Sequence, residues 1–438
     1  ALENYQPGGE LDDLRFRLAD DTDDGFHLSA LLDDVSVAAH GGAPGVRGLN
    51  GQLVMTARHG YVDADSRDVT LGFPKLFGRD WLLSRFQGKV DWQLDGDITR
   101  VWSDSLEMAY GEETSLGGAF DLRLDRGGED NLSLRVGVRD GRADMLGDFV
   151  PVKVVNPELY QWLTTAITQA DITEGVYYGH GQIDRDAPKG SFVSSMRYRF
   201  DNASVRYDER WPAVDNARGE VFIHGGRTRV SLEEGRTGQL TLSPSEVRVN
   251  PVNDRLTLEV DAKAGMPGSA VAYWLQNSPL GEMAGGVGGS VGIDGDYTLD
   301  LALALPLGTA PADTQPQVEV TVGTDNGKVT YAAAGLVWEQ VAGQLRYSTR
   351  TGFAGDPLRA QFLGGPVRVS FRQGGADDAL TIQQRGQVSF PGLFRRSGYD
   401  GVENLGIDGV TDYTASLDVA KHRAPIVTLR SNLKGASV

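Results

Sequence analysis

Residues 131–139 read NLSLRVGVR, and in this stretch apolar side chains alternate strictly with polar or small ones. The same period of two recurs at Leu256–Val260, Leu299–Leu305, Val318–Val322 and Val367–Phe371. A period of two places successive side chains on opposite faces, so each stretch predicts a strand with one buried and one solvated face. Solvated faces are typical of antiparallel sheets, because parallel sheets are buried on both sides. With Gly, Asp and Asn turns and few helices, the chain is predicted to be mostly β.

A degenerate repeat is superimposed on this alternation. Each copy has an apolar residue, an apolar or small residue three positions later, Gly two positions after that, and then two apolar residues at alternate positions. The five copies begin at Val46, Leu83, Val214, Ala284 and Trp338. The glycine permits a bulge or a tight turn at the start of a strand that has one apolar face.

The last two residues of every copy are the candidate site residues. If the five copies share one face of the sheet, these residues form a continuous apolar surface. The alternative is that the copies are ordinary turn-and-strand starts of a β protein. The ten candidates are Leu53, Met55, Val90, Trp92, Val221, Ile223, Val291, Ile293, Leu345 and Tyr347.

The composition excludes several classes of protein. The 438 residues include 60 acidic and 42 basic side chains, and the formal charge of −18 repels nucleic acid, which requires clustered Lys and Arg. The absence of cysteine excludes disulfides, thiolate zinc sites and iron–sulfur clusters. The sequence contains no run of 18 apolar residues that could span a bilayer as a helix, and residues 1–14 show no export signal.

Helices are predicted at only a few places. Asn156 followed by Pro157 is a typical helix start, and an apolar stripe predicts a helix over 156–170. A second helix is predicted at 269–277 and a short one at 81–86. The stretch PLGTAPADTQP at 306–316 is the best linker, so we expect one segment at 1–310 and a second at 311–438.

No combination of residues predicts catalysis. Ser290 lies in a G-x-S-x-G sequence, but that motif acts at a strand-to-helix turn, and here the alternation continues beyond it. The six histidines lack metal-binding spacing, and DGD at 95–97 and 294–296 is typical of hairpin turns. The acidic residues at 20–24 lack the glutamate that a calcium loop needs at its twelfth position. We therefore expect a protein that is not an enzyme and binds neither metal nor cofactor.

Several segments together resemble one family. They are ENYQPGGELDDL at 3–14, SSMRYRFDNASVRYDERWPAVDNARGEVFIHGG at 194–226, YWLQNSPL at 273–280, LALALPLG at 301–308 and GLVWEQVAGQLRYSTRTGF at 335–353. In this order they resemble the YhdP branch of the AsmA-like proteins of Gram-negative bacteria. The resemblance spans most of the chain and is most specific between residues 190 and 350.

The resemblance implies an elongated, twisted antiparallel sheet rolled into an open groove, with an apolar interior lined by the ten candidates and a few amphipathic helices. Such proteins are bridge-like lipid transfer proteins that conduct glycerophospholipids between the inner and outer membranes. Acyl chains are thus the implied ligand, and both membranes are implied partners through parts of the protein outside this chain. The chain would be a central periplasmic segment of a protein anchored in the inner membrane. The two longer predicted helices, at 156–170 and 269–277, either cover or gate the groove or simply cap exposed apolar surface.

Two other functions stay open. An outer-membrane β-barrel of the porin type shares the length, acidity, glycine content and alternation, although amphipathic helices and a C-terminal sequence without aromatic residues argue against it. A β-rich carbohydrate-active enzyme would need a cluster of carboxylates, which the sequence does not identify.

Overall fold

A computed structural model describes residues 2–18, 25–242, 244–252, 255–278, 291–306, 317–332, 335–373, 380–390, 406, 408–420 and 423–437. Over these residues the chain is mostly β, and the strands pair antiparallel, as predicted. Contacts divide the chain into two compact units, which are residues 1–205 with 216–230 (unit 1) and residues 206–215 with 231–438 (unit 2). The division at residue 310 stays a prediction, and most of the expected linker lies outside the described residues.

The first 205 residues form ten strands and most of the helical segments. The strands are β1 (Gly8–Leu18), β2 (Phe26–Val37), β3 (Gly45–Thr56), β4 (His59–Gly72), β5 (Trp81–Asp95), β6 (Ile98–Tyr110), β7 (Thr114–Asp125), β8 (Asn131–Arg142), β9 (Ile167–Gln182) and β10 (Phe192–Val205). The helices are α1 (Leu2–Tyr5), α2 (Leu146–Phe149) and α3 (Pro157–Ala166), with a 3-10 turn at Ala143–Met145.

The remainder of the chain continues the strand-rich pattern with one further helix, α4 (Gly268–Asn277). Its strands are β11 (Val214–His224), β12 (Arg227–Thr237), β13 (Leu240–Leu242), β14 (Ser245–Val252), β15 (Arg255–Pro267), β16 (Val291–Asp294), β17 (Asp296–Pro306), β18 (Gln317–Tyr331), β19 (Leu336–Ser348), β20 (Gly352–Ala354), β21 (Leu358–Phe362), β22 (Gly365–Gln373), β23 (Leu380–Ser389), β24 (Asp408–Ala420), β25 (Arg423–Ser431) and β26 (Ala436–Ser437).

Strands β1 to β10 of unit 1 follow one another in space as they do in sequence. Each pairs antiparallel with the next, from β1 with β2 through to β9 with β10. All eleven residues of β1 are exposed, and in the part of the chain that the structure describes β1 pairs with β2 alone. This ten-stranded sheet is therefore open along β1.

The register divides this sheet into an apolar and a polar face, because residues directly opposite each other in an antiparallel pair point to the same side. Leu53 lies opposite Val62, which lies opposite Val90. Their neighbours along the strands, such as Lys89 and Asp91, point to the other side, where they form an ion pair of 2.8 Å. Alternation along the sequence thus becomes two chemically distinct faces.

β-Bulges explain why the repeat begins with a step of three residues. In the first copy the register between β3 and β4 shifts between Arg47 and Gly51, and in the last copy Gln340 adopts a φ of 52°. In a regular strand, residues three positions apart point to opposite faces of the sheet. A bulge inserts one extra residue, so the residues before and after it point to the same face. Both halves of a copy therefore share the apolar face.

The repeat glycine is required by the close approach of the neighbouring strand. Gly88 has a φ of 141°, and a Cβ at this position would lie 2.5 Å from the carbonyl oxygen of Ser105. Gly51, in the equivalent position of the first copy, has a φ of 156°, and its Cβ would lie 2.2 Å from the carbonyl oxygen of Asp63. Glycine alone fits without strain.

In unit 2 the strands also form antiparallel ladders. One ladder contains β14, β15, β17, β18 and β19, and β16 pairs with a separate part of β18. Strand β19 then pairs with both β20 and β21, and the ladder continues through β22, β23, β24 and β25. Buried apolar residues gather at several places along it, the largest cluster being centred on Val341, Phe362 and Tyr413.

The helices agree with the sequence in part. The Asn156 side chain accepts hydrogen bonds from the backbone N–H groups of Glu158 and Leu159, so the predicted start is confirmed. The predicted end at residue 170 was wrong, because Ile167 already begins β9. Helix α4 confirms the prediction at 269–277. The short helix predicted at 81–86 was wrong, since these residues pair with β4 as part of β5.

Within the described ranges, none of the helices has both the length and the apolar character that crossing a membrane requires.

Candidate functional site

A row of apolar residues and two glycines crosses strands β1 to β10 of unit 1. Each member lies directly opposite the next, so the row runs at right angles to the strands over nine strand spacings of ~4.8 Å, or roughly 43 Å. We call it the open row, and its members are Phe16, Leu28, Met55, Gly60, Trp92, Val101, Leu122, Leu132, Gly181 and Phe192.

The open row is accessible to solvent. Phe16 is 58% exposed, and Met55, Trp92, Leu122 and the other large members between β2 and β10 are half-buried. A second row runs beside it, two residues along the strands: Ala30, Leu53, Val62 and Val90 cross β2 to β5. After the bulge between β5 and β6 the second row continues through Ser103, Phe120, Leu134, Gly179 and Ser194.

Four predicted residues come together in these two rows. Leu53 and Val90 lie in the second row, joined through Val62, and Met55 and Trp92 lie in the open row, joined through Gly60. The shared apolar face of the first two repeat copies is therefore present in the structure.

A different part of the same face is covered by the protein itself. The covered patch consists of Ala64, Val69, Leu83 and Phe86, of which Val69 and Leu83 are at most 1% exposed. Trp81 and Tyr110 pack beside the patch, and the ring of Phe149 from α2 lies 4.7 Å and 4.9 Å from theirs.

Hydrogen bonds hold α2 over this patch. The Tyr110 hydroxyl donates to Asp148 Oδ2 at 2.7 Å, and the Trp81 indole N–H donates to the Asp148 carbonyl oxygen at 3.0 Å. Burial, together with the bond to Asp148, raises the pKa of Tyr110 to about 12. The α2 segment, for which the sequence predicted no helix, thus covers this part of the apolar face. The covering or gating role predicted for the helices at 156–170 and 269–277 stays a hypothesis.

The polar face carries ion pairs between adjacent strands. Arg100 bonds to Asp121 at 2.6 Å, and Arg197 bonds to Glu220 at the same distance. The hydrogen bond to Asp121 raises the pKa of the Arg100 guanidinium, and that from Arg197 lowers the pKa of the Glu220 carboxyl. Side chains on this face are therefore charged and solvated at neutral pH.

The apolar face of unit 2 contains four more predicted residues. Val291 and Ile293 lie opposite Tyr331 and Val329 in the pairing of β16 with β18. Leu345 lies opposite Val322. Tyr347 belongs to a longer row in which Ala262, Leu301, Val320, Tyr347 and Phe353 follow one another across β15 to β20. Leu345 and Tyr347 are half-buried, as are their counterparts in unit 1.

The third repeat copy is described less completely. Val221 and Ile223 are half-buried in β11, and their neighbours Phe222 and His224 are exposed, which is the expected alternation. Glu220, the neighbour of Val221, bonds to Arg197 of β10. Because no register defines the residues opposite Val221 and Ile223, their placement on the apolar face stays a prediction. The first part of the fourth copy, including Ser290, lies outside the described residues, as do the acidic residues at 20–24.

The repeat did not reveal every member of the apolar rows. Val101, Leu122 and Phe192 belong to the open row but to no repeat copy. Their only sequence signal is the period of two, which does not distinguish an open row from a covered patch.

The remaining polar candidates lie in turns and at the surface. Asp95 and Asp97 flank Gly96 in the hairpin between β5 and β6, as predicted. The hairpin predicted at 294–296 was wrong, because β16 and β17 both pair antiparallel with β18 and so run in the same direction through Gly295. His180 Nδ1 lies 2.7 Å from the Ser133 hydroxyl on the exposed polar face. Among the described residues no group of three His, Asp or Glu side chains is arranged to hold a metal ion.

Comparison with known proteins identifies the family. The chain is 22% identical over 381 residues to the intermembrane phospholipid transporter YhdP of Escherichia coli (strain K12), a match that covers 84% of this chain and 28% of the relative. The chain thus spans less than a third of the relative's length. No solved structure matches significantly. The sequence model of the family described as YhdP protein matches residues 1–438, so the chain belongs to the YhdP family.

Proposed function

We propose that the apolar face binds the acyl chains of glycerophospholipids and conducts them along the sheet, as one segment of a bridge between the inner and outer membranes. The observation that carries this proposal is the open row, an apolar path that crosses ten strands and is accessible along its length. Membership of the YhdP family and the E. coli relative, an intermembrane phospholipid transporter, support the same function.

The physical basis is the cost of exposing hydrocarbon to water. Each methylene group contributes ~0.8 kcal/mol, so a 16-carbon chain costs on the order of 13 kcal/mol when it is fully exposed. A chain lying along the open row loses most of this exposure, while its headgroup stays in water beyond the sheet. A row without deep pockets has no position at which a lipid is trapped, which favours movement over storage.

The location and class of the protein follow from the same proposal. An intermembrane role places this segment in the periplasm, within a protein anchored in the inner membrane, and gives it lipid as ligand and the two membranes as partners through other segments. Transport along an apolar row requires no catalytic residue, so we propose that the protein is not an enzyme. The family match and the open β1 edge favour this reading over the porin-like barrel and the carbohydrate-active enzyme.

The test is to purify the chain under mild conditions and to measure bound phospholipid by native mass spectrometry. We expect lipid on the wild-type chain and at least about a tenfold loss with Leu132→Asp, which places a charge in the open row. The matched control is Ser133→Asp, because Ser133 is adjacent but faces the polar side, where a carboxylate can still accept from His180. A wild-type chain without lipid, or an equal loss in both variants, would contradict the proposal.

A further inference from the structure

Three aromatic rings on the apolar face of unit 1 lie against glycines of neighbouring strands. A Cβ at Gly60 would lie 2.4 Å from Trp92 Cζ2, one at Gly175 would lie 2.2 Å from Tyr198 Cδ1, and one at Gly179 would lie 2.7 Å from Phe192 Cζ. Cβ atoms essentially never approach other heavy atoms within 3.0 Å. The rings therefore occupy the space that a side chain at these positions would need, and each ring packs directly against the glycine backbone of the neighbouring strand.

These glycines are needed for the rings and not for their backbone conformation. None of the three is among the glycines with positive φ, so alanine fits the local backbone at each. At Gly179 the three nearest atoms are two Phe192 ring atoms and the hydroxyl of Tyr177, all of them ends of side chains. An alanine there would displace the Phe192 ring away from the sheet, because the backbone itself presents no obstacle.

The ring of Phe192 lies where the two apolar rows meet. Phe192 belongs to the open row, but its ring contacts Gly179 of the second row. The rows are two residues apart along the strands, or ~6.7 Å at ~3.3 Å per residue. A ring lying flat leaves both rows free, whereas a ring displaced from Gly179 would stand between them. Trp92 differs, because it lies directly opposite Gly60 within the open row, so a ring displaced from Gly60 would obstruct the open row itself.

Gly175 and Tyr198 lie four residues along the strands from Gly179 and Ser194 of the second row, so this pair is outside the two rows. We propose that the aromatic–glycine pairs Trp92–Gly60 and Phe192–Gly179 keep the rings close enough to the backbone for two acyl chains to lie side by side on the two rows, and so fit the apolar face to diacyl glycerophospholipids. This inference rests on the proposed function. The inference assigns these glycines as specificity-determining positions, because the space above them decides whether the apolar face can bind one acyl chain or two.

The experiment compares two lipids on the full chain. Protein is incubated with vesicles of dioleoylphosphatidylcholine or with micelles of the single-chain oleoyl lysophosphatidylcholine, and bound lipid is counted by native mass spectrometry. We expect Gly179→Ala to lower diacyl binding about tenfold, the equivalent of ~1.4 kcal/mol, and to leave single-chain binding unchanged. The double variant Gly179→Ala with Phe192→Leu removes the displaced ring and should restore diacyl binding.

The control is Gly117→Ala, which faces the polar side and whose Cβ would meet only the Leu106 carbonyl oxygen, at 3.9 Å. Unchanged diacyl binding in Gly179→Ala, an equal loss of both lipids, or failure of the double variant to restore binding would each overturn the inference. If circular dichroism shows Gly179→Ala unfolded, Gly60→Ala with and without Trp92→Leu repeats the test in the middle of the open row. A wild-type chain that binds neither lipid would instead refute the proposed function.

Discussion

The open row and the covered patch belong to the same face of the same sheet, and often to the same strand, yet they have different roles. On β5 the residues Leu83 and Phe86 are buried under neighbouring side chains, whereas Val90 and Trp92 are half-buried and accessible. All four belong to one copy of the repeat. The difference arises from what lies above each region, because aromatic residues and α2 cover one end of the face and leave the other uncovered.

The same division recurs in other repeat copies. Val341, in the first half of the last copy, is 6% exposed, and Leu345 and Tyr347 in its second half are half-buried. In the third copy Ala217 is 3% exposed and Val221 is half-buried. In these three copies the motif has a buried residue in its first half and an accessible apolar surface in its second, whereas in the first copy Val46 and Leu49 are as half-buried as Leu53 and Met55.

The largest expected effect tests the stabilising half. Leu83→Ala removes a side chain that is 1% exposed, and a cavity of this kind costs about 2–5 kcal/mol of unfolding free energy. Lipid bound per folded molecule should stay unchanged, because Leu83 is covered. Urea denaturation and native mass spectrometry measure the two quantities separately. A loss of lipid binding without a loss of stability would show that the covered patch opens to ligand.

The next effect tests the bulge that joins the halves. Gly88→Ala forces a side chain into a backbone with φ of 141° and towards the Ser105 carbonyl oxygen, so we expect a loss of about 1–3 kcal/mol in urea denaturation. Gly117→Ala is the matched control, since its backbone is extended and its surroundings are open, and it should change stability by less than about 0.5 kcal/mol. Equal losses in the two variants would mean that the repeat glycine has no special conformational role.

The sequence was sufficient to predict which side chains share the apolar face, but not which part of that face is covered by other residues. Alternation and the repeat placed Leu53, Met55, Val90 and Trp92 on one surface, because a period of two and a bulge are local properties of the chain. Trp81 and Tyr110, which pack against the patch of Leu83, contact Phe149. Phe149 is more than sixty residues from Leu83 in the sequence, and no local pattern reports such a contact.

The wrong helix predictions have a related cause. The sequence WLLSRF at 81–86 has apolar residues at helical as well as bulged-strand spacing, and pairing with β4 decides in favour of the strand. At the end of α3, Ile167 lies opposite Val205 of β10, so strand pairing ends the helix before its apolar stripe does. In both cases tertiary pairing outweighed a local preference.

A pH titration examines the contact that closes the covered patch. Because the pKa of Tyr110 is raised from 10.0 to about 12, the folded state favours the neutral phenol. Its contribution to stability is complete below pH 10 and is lost as pH rises from 10 to about 12, where the unfolded chain ionises first. The melting temperature of the wild-type protein should therefore fall more steeply between pH 10 and about 12 than the melting temperature of Tyr110→Phe. Parallel curves for the two proteins would exclude Tyr110 as the titrating group.

The smallest effect is expected on the polar face. Arg100 and Asp121 form an ion pair of 2.6 Å, but their side chains are 48% and 41% exposed, and exposed pairs contribute only about 0.2–1 kcal/mol. Arg100→Gln should thus lower stability slightly, by an amount that shrinks in high salt, and should leave lipid binding unchanged. The measurement is urea denaturation at low and high ionic strength, with bound lipid counted in parallel. Arg100 neighbours Val101 of the open row on the same strand, but the two side chains point to opposite faces. Reduced lipid binding in Arg100→Gln would therefore show that the two faces are not independent, and would contradict the assignment of lipid binding to the apolar face alone.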